Sequence, residues 1–234
     1  MIKTVIILFI ASTALFAPAV NAQTDVNTLI KKVSERIDKV NDYKASGKMK
    51  TNVTFLKVPE SSVKIFFKKP NRLKIKNEKG LSFVPKGAVS INLSNILNGN
   101  KYSVIDAGVD KIGNLTVRVV KLLPEDDNAE VVLSTLYIDE TNLVIKRAKT
   151  TTRENGSYQL EMTYGKYIAF GLPDKINFTF NTKDYKLPKG VTFDFDDGAA
   201  VQKAPGEAAK KNKGMAEIIF DSYTINKGVA DNLF

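Results

Sequence analysis

The chain has 234 residues, 43% of them hydrophobic, with 35 Lys and Arg against 25 Asp and Glu, a formal net charge of +10, and neither cysteine nor histidine. Without those two residue types no Ser-His-Asp or Cys-His nucleophile and no His/Cys zinc site can be built, and the commonest general base near neutral pH is missing. The length is ample for a core that needs no disulfides.

The amino terminus reads as an export signal. Lys3 precedes the apolar run from Val5 to Phe16, Pro18 breaks the run, and Val20-Asn21-Ala22 offers the small side chains of a cleavage site. Cleavage is expected after Ala22, because a run of about a dozen residues is too short to span a bilayer at roughly 20. The new terminus, Gln23, is not a cysteine, so no lipid anchor of the lipoprotein type is expected. Export sets aside a nucleic-acid role for the positive charge. The lysines are also spread along strands, apart from Lys210-Lys211-Asn212-Lys213 beside Ala204-Pro205-Gly206, which has linker composition.

Thr24 or Asp25 can cap a helix in which Val26, Leu29, Ile30, Val33, Ile37 and Val40 share one face, ending at Asn41-Asp42. Period-two alternation follows. Tyr43, Ala45, Gly47, Met49, Thr51, Val53 and Phe55 alternate with polar neighbours, Val63, Ile65 and Phe67 form the next strand, and Leu73 and Ile75 follow the Pro70-Asn71 turn. Between Pro85 and Gly99, Val89, Leu93, Ile96 and Leu97 recur at helical spacing and predict a short helix. Strands are then predicted over 102–105, 116–122, 131–138, 143–151, 158–164, 176–180, 191–195 and 218–225. Their close spacing favours an antiparallel meander, since parallel pairing needs crossovers of about a dozen residues.

No catalytic constellation emerges. Ser61-Ser62-Val63-Lys64 has the Ser-x-x-Lys spacing of some acyltransferases, but that chemistry uses a helix start, and these residues open an alternating strand. Asp126-Asp127 and Asp196-Asp197 fall in turn-like sequence. One helix cannot cover so long a meander if the sheet is flat, so the prediction is a mainly β (α+β) fold. A curved antiparallel sheet forms an incomplete barrel of about ten or eleven strands, closed by the amino-terminal helix and the short helix as a lid. The predicted organisation is a signal segment (1–22), a half-barrel domain (23–197), and a linker plus strand extension docking on that domain (198–234).

Several segments are familiar in order. The stretch from Ile37 to Ser46 resembles the helix-to-strand junction of the periplasmic lipoprotein carrier family LolA, and Phe67-Lys68-Lys69-Pro70-Asn71-Arg72-Leu73-Lys74-Ile75 resembles its basic-Pro hairpin. Asn98-Gly99-Asn100-Lys101-Tyr102 is similar to its turn into an aromatic strand. Phe178-Thr179-Phe180 and the stretch from Leu187 to Thr192 resemble its closing strands. The resemblance implies a soluble periplasmic, non-enzymatic carrier without cofactor or metal, monomeric, shielding acyl chains of lipoproteins or lipids on their way to the outer membrane. An inner-membrane exporter and an outer-membrane acceptor would be its partners. The alternative is an envelope sensor of lipid or protein with the same fold and no transport activity. The lipid-lining candidates are Met49, Val53, Phe55, Ile65, Phe67, Leu73, Ile75, Leu160, Met162, Phe178 and Phe180, with Val89, Leu93, Ile96 and Leu97 as the lid. Where the family has an arginine latching the lid before the hairpin proline, this chain has Lys69, which lacks the planar fork of donors.

Overall fold

The computed structural model describes residues 25–53, 56–70, 72–77, 102–154, 156–181 and 213–234. One helix, α1 (Val26–Ile37), precedes strands β1 (Asp42–Val53), β2 (Leu56–Lys68), β3 (Arg72–Asn77), β4 (Tyr102–Ile112), β5 (Leu115–Pro124), β6 (Val131–Asp139), β7 (Val144–Thr152), β8 (Gly156–Thr163), β9 (Lys175–Asn181) and β10 (Lys213–Ile225). Single 3-10 turns occupy Ile168–Phe170 and Asp231–Leu233. All ten strands join one antiparallel sheet in the order β3-β2-β1-β10-β9-β8-β7-β6-β5-β4. The two end strands do not pair with each other, so the sheet is an incomplete, curved barrel that holds α1 against its inner face. Bulges help it bend: the register shifts between Ser46 and Gly47 opposite β10, and between Met49 and Thr51 opposite β2.

Local chemistry explains the helix. The Asp25 carboxylate accepts hydrogen bonds from the Thr28 N–H at 3.0 Å and the Thr28 hydroxyl at 3.2 Å, so Asp25 is the cap. Val26, Leu29 and Val33 are buried. The helix stops earlier than periodicity predicts, at Ile37, because the chain must turn into β1. Val40 is buried all the same, just beyond the helix. β4 extends past its predicted end to Ile112 by absorbing a bulge between Asp106 and Val109, with Gly108 at a φ of 82°. The predicted strand over 191–195 and the predicted lid (Val89, Leu93, Ile96, Leu97) lie outside the described residues.

The interior is two clusters rather than one. The larger packs Leu29 and Val33 of α1 against Val120, Leu136, Ile138, Leu160, Phe178 and Phe180 of β5 to β9. The smaller gathers Ala45, Met49, Val63, Ile65 and Tyr223 on β1, β2 and β10, with Leu73 and Ile75 of β3 packed against it.

The segment beyond β10 returns to the helix–strand junction. The Asn226 side-chain oxygen accepts from the Asn41 N–H at 2.8 Å, its amide donates to the Lys39 carbonyl at 2.7 Å, and the Gly228 N–H donates to Asp42 at 2.9 Å. Asp231 then pairs with Lys68 at 2.7 Å and with Arg72, and the Arg72 guanidinium lies over the Phe234 ring. These contacts brace the β2–β3 hairpin. The hydrogen bonds from Lys68 and Arg72 hold the Asp231 carboxyl below its ordinary value. A lowered folded-state value means the contribution is complete above the ordinary carboxylate range and disappears as pH falls through the lowered value. Amide protection factors over Asp231–Leu233 should therefore be retained at about pH 6 and lost at about pH 2, below the ordinary carboxylate value, before those of β1 and β10. Equal protection at both values would show that the tail is held by other contacts.

Candidate ligand-binding site

The two interior clusters do not close on each other completely. At their seam lies a small cavity, with room of about 80 Å³, that opens to solvent. Its walls come from every direction. Ile37 and Val40 reach it from the end of α1, Tyr43 from β1, Phe67 and Leu73 from the β2–β3 hairpin, Met162 and Ile176 from β8 and β9, and Phe220 and Tyr223 from β10. Phe170 to Pro173, in and after the first 3-10 turn, form its rim.

Each wall is held by identifiable chemistry. The Arg36 guanidinium donates to the Ile168 carbonyl at 3.1 Å, tying the rim to α1. Gly171 takes a left-handed φ of 65° directly after the turn, where a side chain is disfavoured. The Tyr223 hydroxyl donates to the Pro173 carbonyl at 2.8 Å, and the Tyr223 N–H donates to the Tyr167 hydroxyl at 3.3 Å. Around Tyr223 the rings of Tyr43, Tyr167 and Phe220 pack with centroids 4.9 to 5.4 Å apart, and Phe67 stacks on Tyr43 at 5.2 Å. Such offset and edge contacts stiffen a wall beyond simple burial.

Among the described residues the lining carries no carboxylate, ammonium or guanidinium. Its two phenols stay neutral at physiological pH, because burial pushes both Tyr43 and Tyr223 well above the ordinary tyrosine range. An apolar guest therefore meets no fixed charge.

Of the residues predicted from sequence, Phe67, Leu73 and Met162 line this cavity. Leu160, Phe178 and Phe180 pack in the larger cluster beneath α1, and Met49 and Ile65 in the smaller one, with Ile75 beside it. Val53 ends β1, and its side chain, like Phe55, lies outside the described residues. Lys69 pairs with Asp38 at 3.0 Å and donates to the Asp38 carbonyl at 2.7 Å. It thereby fastens the hairpin to the carboxyl-terminal end of α1, where a cation is favoured. Sequence reasoning missed Ile37, Val40, Tyr43, Ile176, Phe220, Tyr223 and the rim. Alternation already pointed Tyr43 inward, and helical spacing did the same for Val40. No periodic signal marks residues 170–173.

The sequence matches no family model, and no curated protein matches it. Its fold is shared with solved structures. A LolA superfamily protein from Nitrosomonas europaea superposes with a TM-score of 0.53 at 9% identity, covering 91% of this chain and 98% of the other. A protein of the DUF1329 family from Desulfovibrio piger gives 0.55 at 11% identity, covering 89% and 96%. The chain has the LolA fold. A domain from Vibrio parahaemolyticus described as an outer membrane lipoprotein-sorting protein is also similar, with a TM-score of 0.50, 11% identity, and coverage of 89% and 96%. Among the described residues no helix is long and apolar enough to cross a membrane.

Proposed function

We propose that the protein is a binding protein of the cell envelope, not an enzyme, and that its cavity shelters acyl chains of a lipoprotein or lipid during transfer toward the outer membrane. The observation that carries this reading is the charge-free hollow at the seam of the two clusters, built from side chains of α1, both halves of the sheet and an irregular rim. Each methylene left in water costs about 0.8 kcal/mol, so an acyl chain crossing an aqueous space needs an apolar sleeve. Adaptable side chains such as Met162 suit chains of variable shape. The likeness to a lipoprotein-sorting domain and the predicted export signal agree with an envelope location, and an exporter and an acceptor in the two membranes would be the partners.

Native mass spectrometry of gently purified protein should show a bound lipid or acylated peptide. Leu73→Glu places a carboxylate on a half-buried wall residue of an edge strand. Burying that charge against an acyl chain should weaken uptake of an acylated peptide at least about tenfold while the chain remains folded. Ligand-free protein that also takes up no acylated peptide would overturn the reading.

A further inference from the structure

The outer face of the sheet behind the cavity is rich in lysine. Alternation turns Ala45 and Met49 of β1 inward and exposes Lys44, Lys48 and Lys50, while Lys64 of β2 and Lys76 of β3 are exposed in the same way. Pairing sets these side chains in rows. Lys44 stands opposite Phe66, which stands opposite Lys74; Ser46 opposite Lys64, which stands opposite Lys76; and Lys48 opposite Ile219 of β10. Two carboxylates here are engaged, Glu60 with Lys48 at 3.4 Å and Glu217, which stands opposite Lys50, with Lys175 at 2.5 Å, while Asp221 of β10 is exposed. Among the described residues, Lys44, Lys50 and Lys76 have no carboxylate within ion-pair distance. Apolar groups lie between the charges. Ile219 and Met215 are 43% and 36% exposed, and the Lys76 ammonium sits over the Phe66 ring at 5.6 Å.

We propose that this outer face of β3, β2, β1 and β10 docks on the anionic headgroups of a lipid bilayer. With strands about 4.8 Å apart and about 3.3 Å per residue, the patch measures roughly 15 by 20 Å and meets several headgroups at once. An acidic protein partner fits less well. Protein interfaces are enriched in Arg and depleted of Lys, because the guanidinium fork pairs carboxylates in fixed geometry. The centre of this patch is lysine throughout, a set of point charges suited to a diffuse negative surface. Ile219, Met215 and Phe66 can settle among the headgroups as the apolar part of an interfacial site. Docking by the outer face leaves the inward residues that line the cavity uncovered. The proposal does not depend on what the cavity holds.

The test is co-sedimentation of the chain from residue 23 onward, which keeps every described element and lacks the apolar leader. The vesicles are either equimolar phosphatidylglycerol and phosphatidylcholine, or phosphatidylcholine alone. Binding is expected to the anionic vesicles only, and it should fall at least about tenfold in about 0.5 M salt, where the screening length is a few ångströms. Each lysine near an anionic surface strengthens binding about fivefold, so Lys44→Gln, Lys50→Gln and Lys76→Gln together should weaken it on the order of 100-fold. Circular dichroism would check that this variant is folded. Equal binding to both vesicle types would overturn the proposal by assigning lipid contact to the cavity. So would a triple variant that binds like the parent. Failure on anionic vesicles combined with lysine-dependent binding of poly-glutamate would assign the face to an acidic protein instead.

Discussion

A chain ended after Asp197 is expected to lose cooperative folding. β10 is not an appendage to the sheet. It lies between β1 and β9, pairing with β1 from Tyr43 opposite Ile225 to Asn52 opposite Met215, and with β9 from Lys175 opposite Ile219 to Asn181 opposite Lys213. Removing it divides the sheet into a three-stranded and a six-stranded part, each with a new unpaired edge. It also deletes Tyr223 from the smaller cluster, Ala216 from the larger and Phe220 from the cavity wall. The backbone groups of β1 and β9 would exchange strand partners for water, and the hairpin would lose its Asp231 brace. Thermal circular dichroism of the truncated chain should show no sigmoidal transition. A peptide spanning 213–234, added in trans, should restore one by strand addition. A truncated chain that melts at the full-length midpoint would show that the sheet closes without β10.

The second large effect is expected at Gly47. This residue follows the register shift at which β10 carries the extra residue, Asp221, and a Cβ placed on it would overlap the main-chain carbonyl oxygen of Ile219 on β10. That oxygen belongs to a paired strand and cannot swing aside like the end of a flexible side chain. Gly47→Ala must therefore push β1 and β10 apart where both contribute to the wall behind the cavity. A cost of about 3 kcal/mol is expected, the size associated with forced overlap in a packed interior. In a domain of this size it would lower the midpoint by about 10 °C. Gly108→Ala is the matched comparison. It has a φ of 82° but nothing within 4 Å of its added Cβ, so only left-handed strain of about 1 kcal/mol applies. Equal midpoints for the two variants would show that the β1–β10 spacing can relax.

Much of this architecture was legible along the chain. Alternation from Tyr43 to Thr51, and the recurrence of Val63, Ile65 and Phe67, specify inner and outer faces, because neighbouring side chains in a strand must point opposite ways. The spacing of Val26, Leu29 and Val33 specifies a helix with one face to bury, and the mismatch between one helix and a long meander requires curvature. The same alternation separates the buried side chains from the lysine-bearing outer face. The sequence alone therefore determined a bent antiparallel sheet around a helix, and excluded histidine- and cysteine-based chemistry by composition.

It did not determine which inward residues meet an open space. Met49 and Phe67 both occupy inward positions of alternating strands, yet Met49 packs in the smaller cluster while Phe67 borders the cavity. Periodicity reports the direction of a side chain but not how far the opposing layer extends above it. Only the tertiary structure decided that α1 stops at Ile37, that its end stands over the β2–β3 hairpin through Lys69 and Asp38, and that β10 brings Phe220 and Tyr223 beside Tyr43 from the far end of the chain. A cavity is the space left over when layers of unequal reach are packed together. It belongs to their relative placement, which no local run of residues encodes.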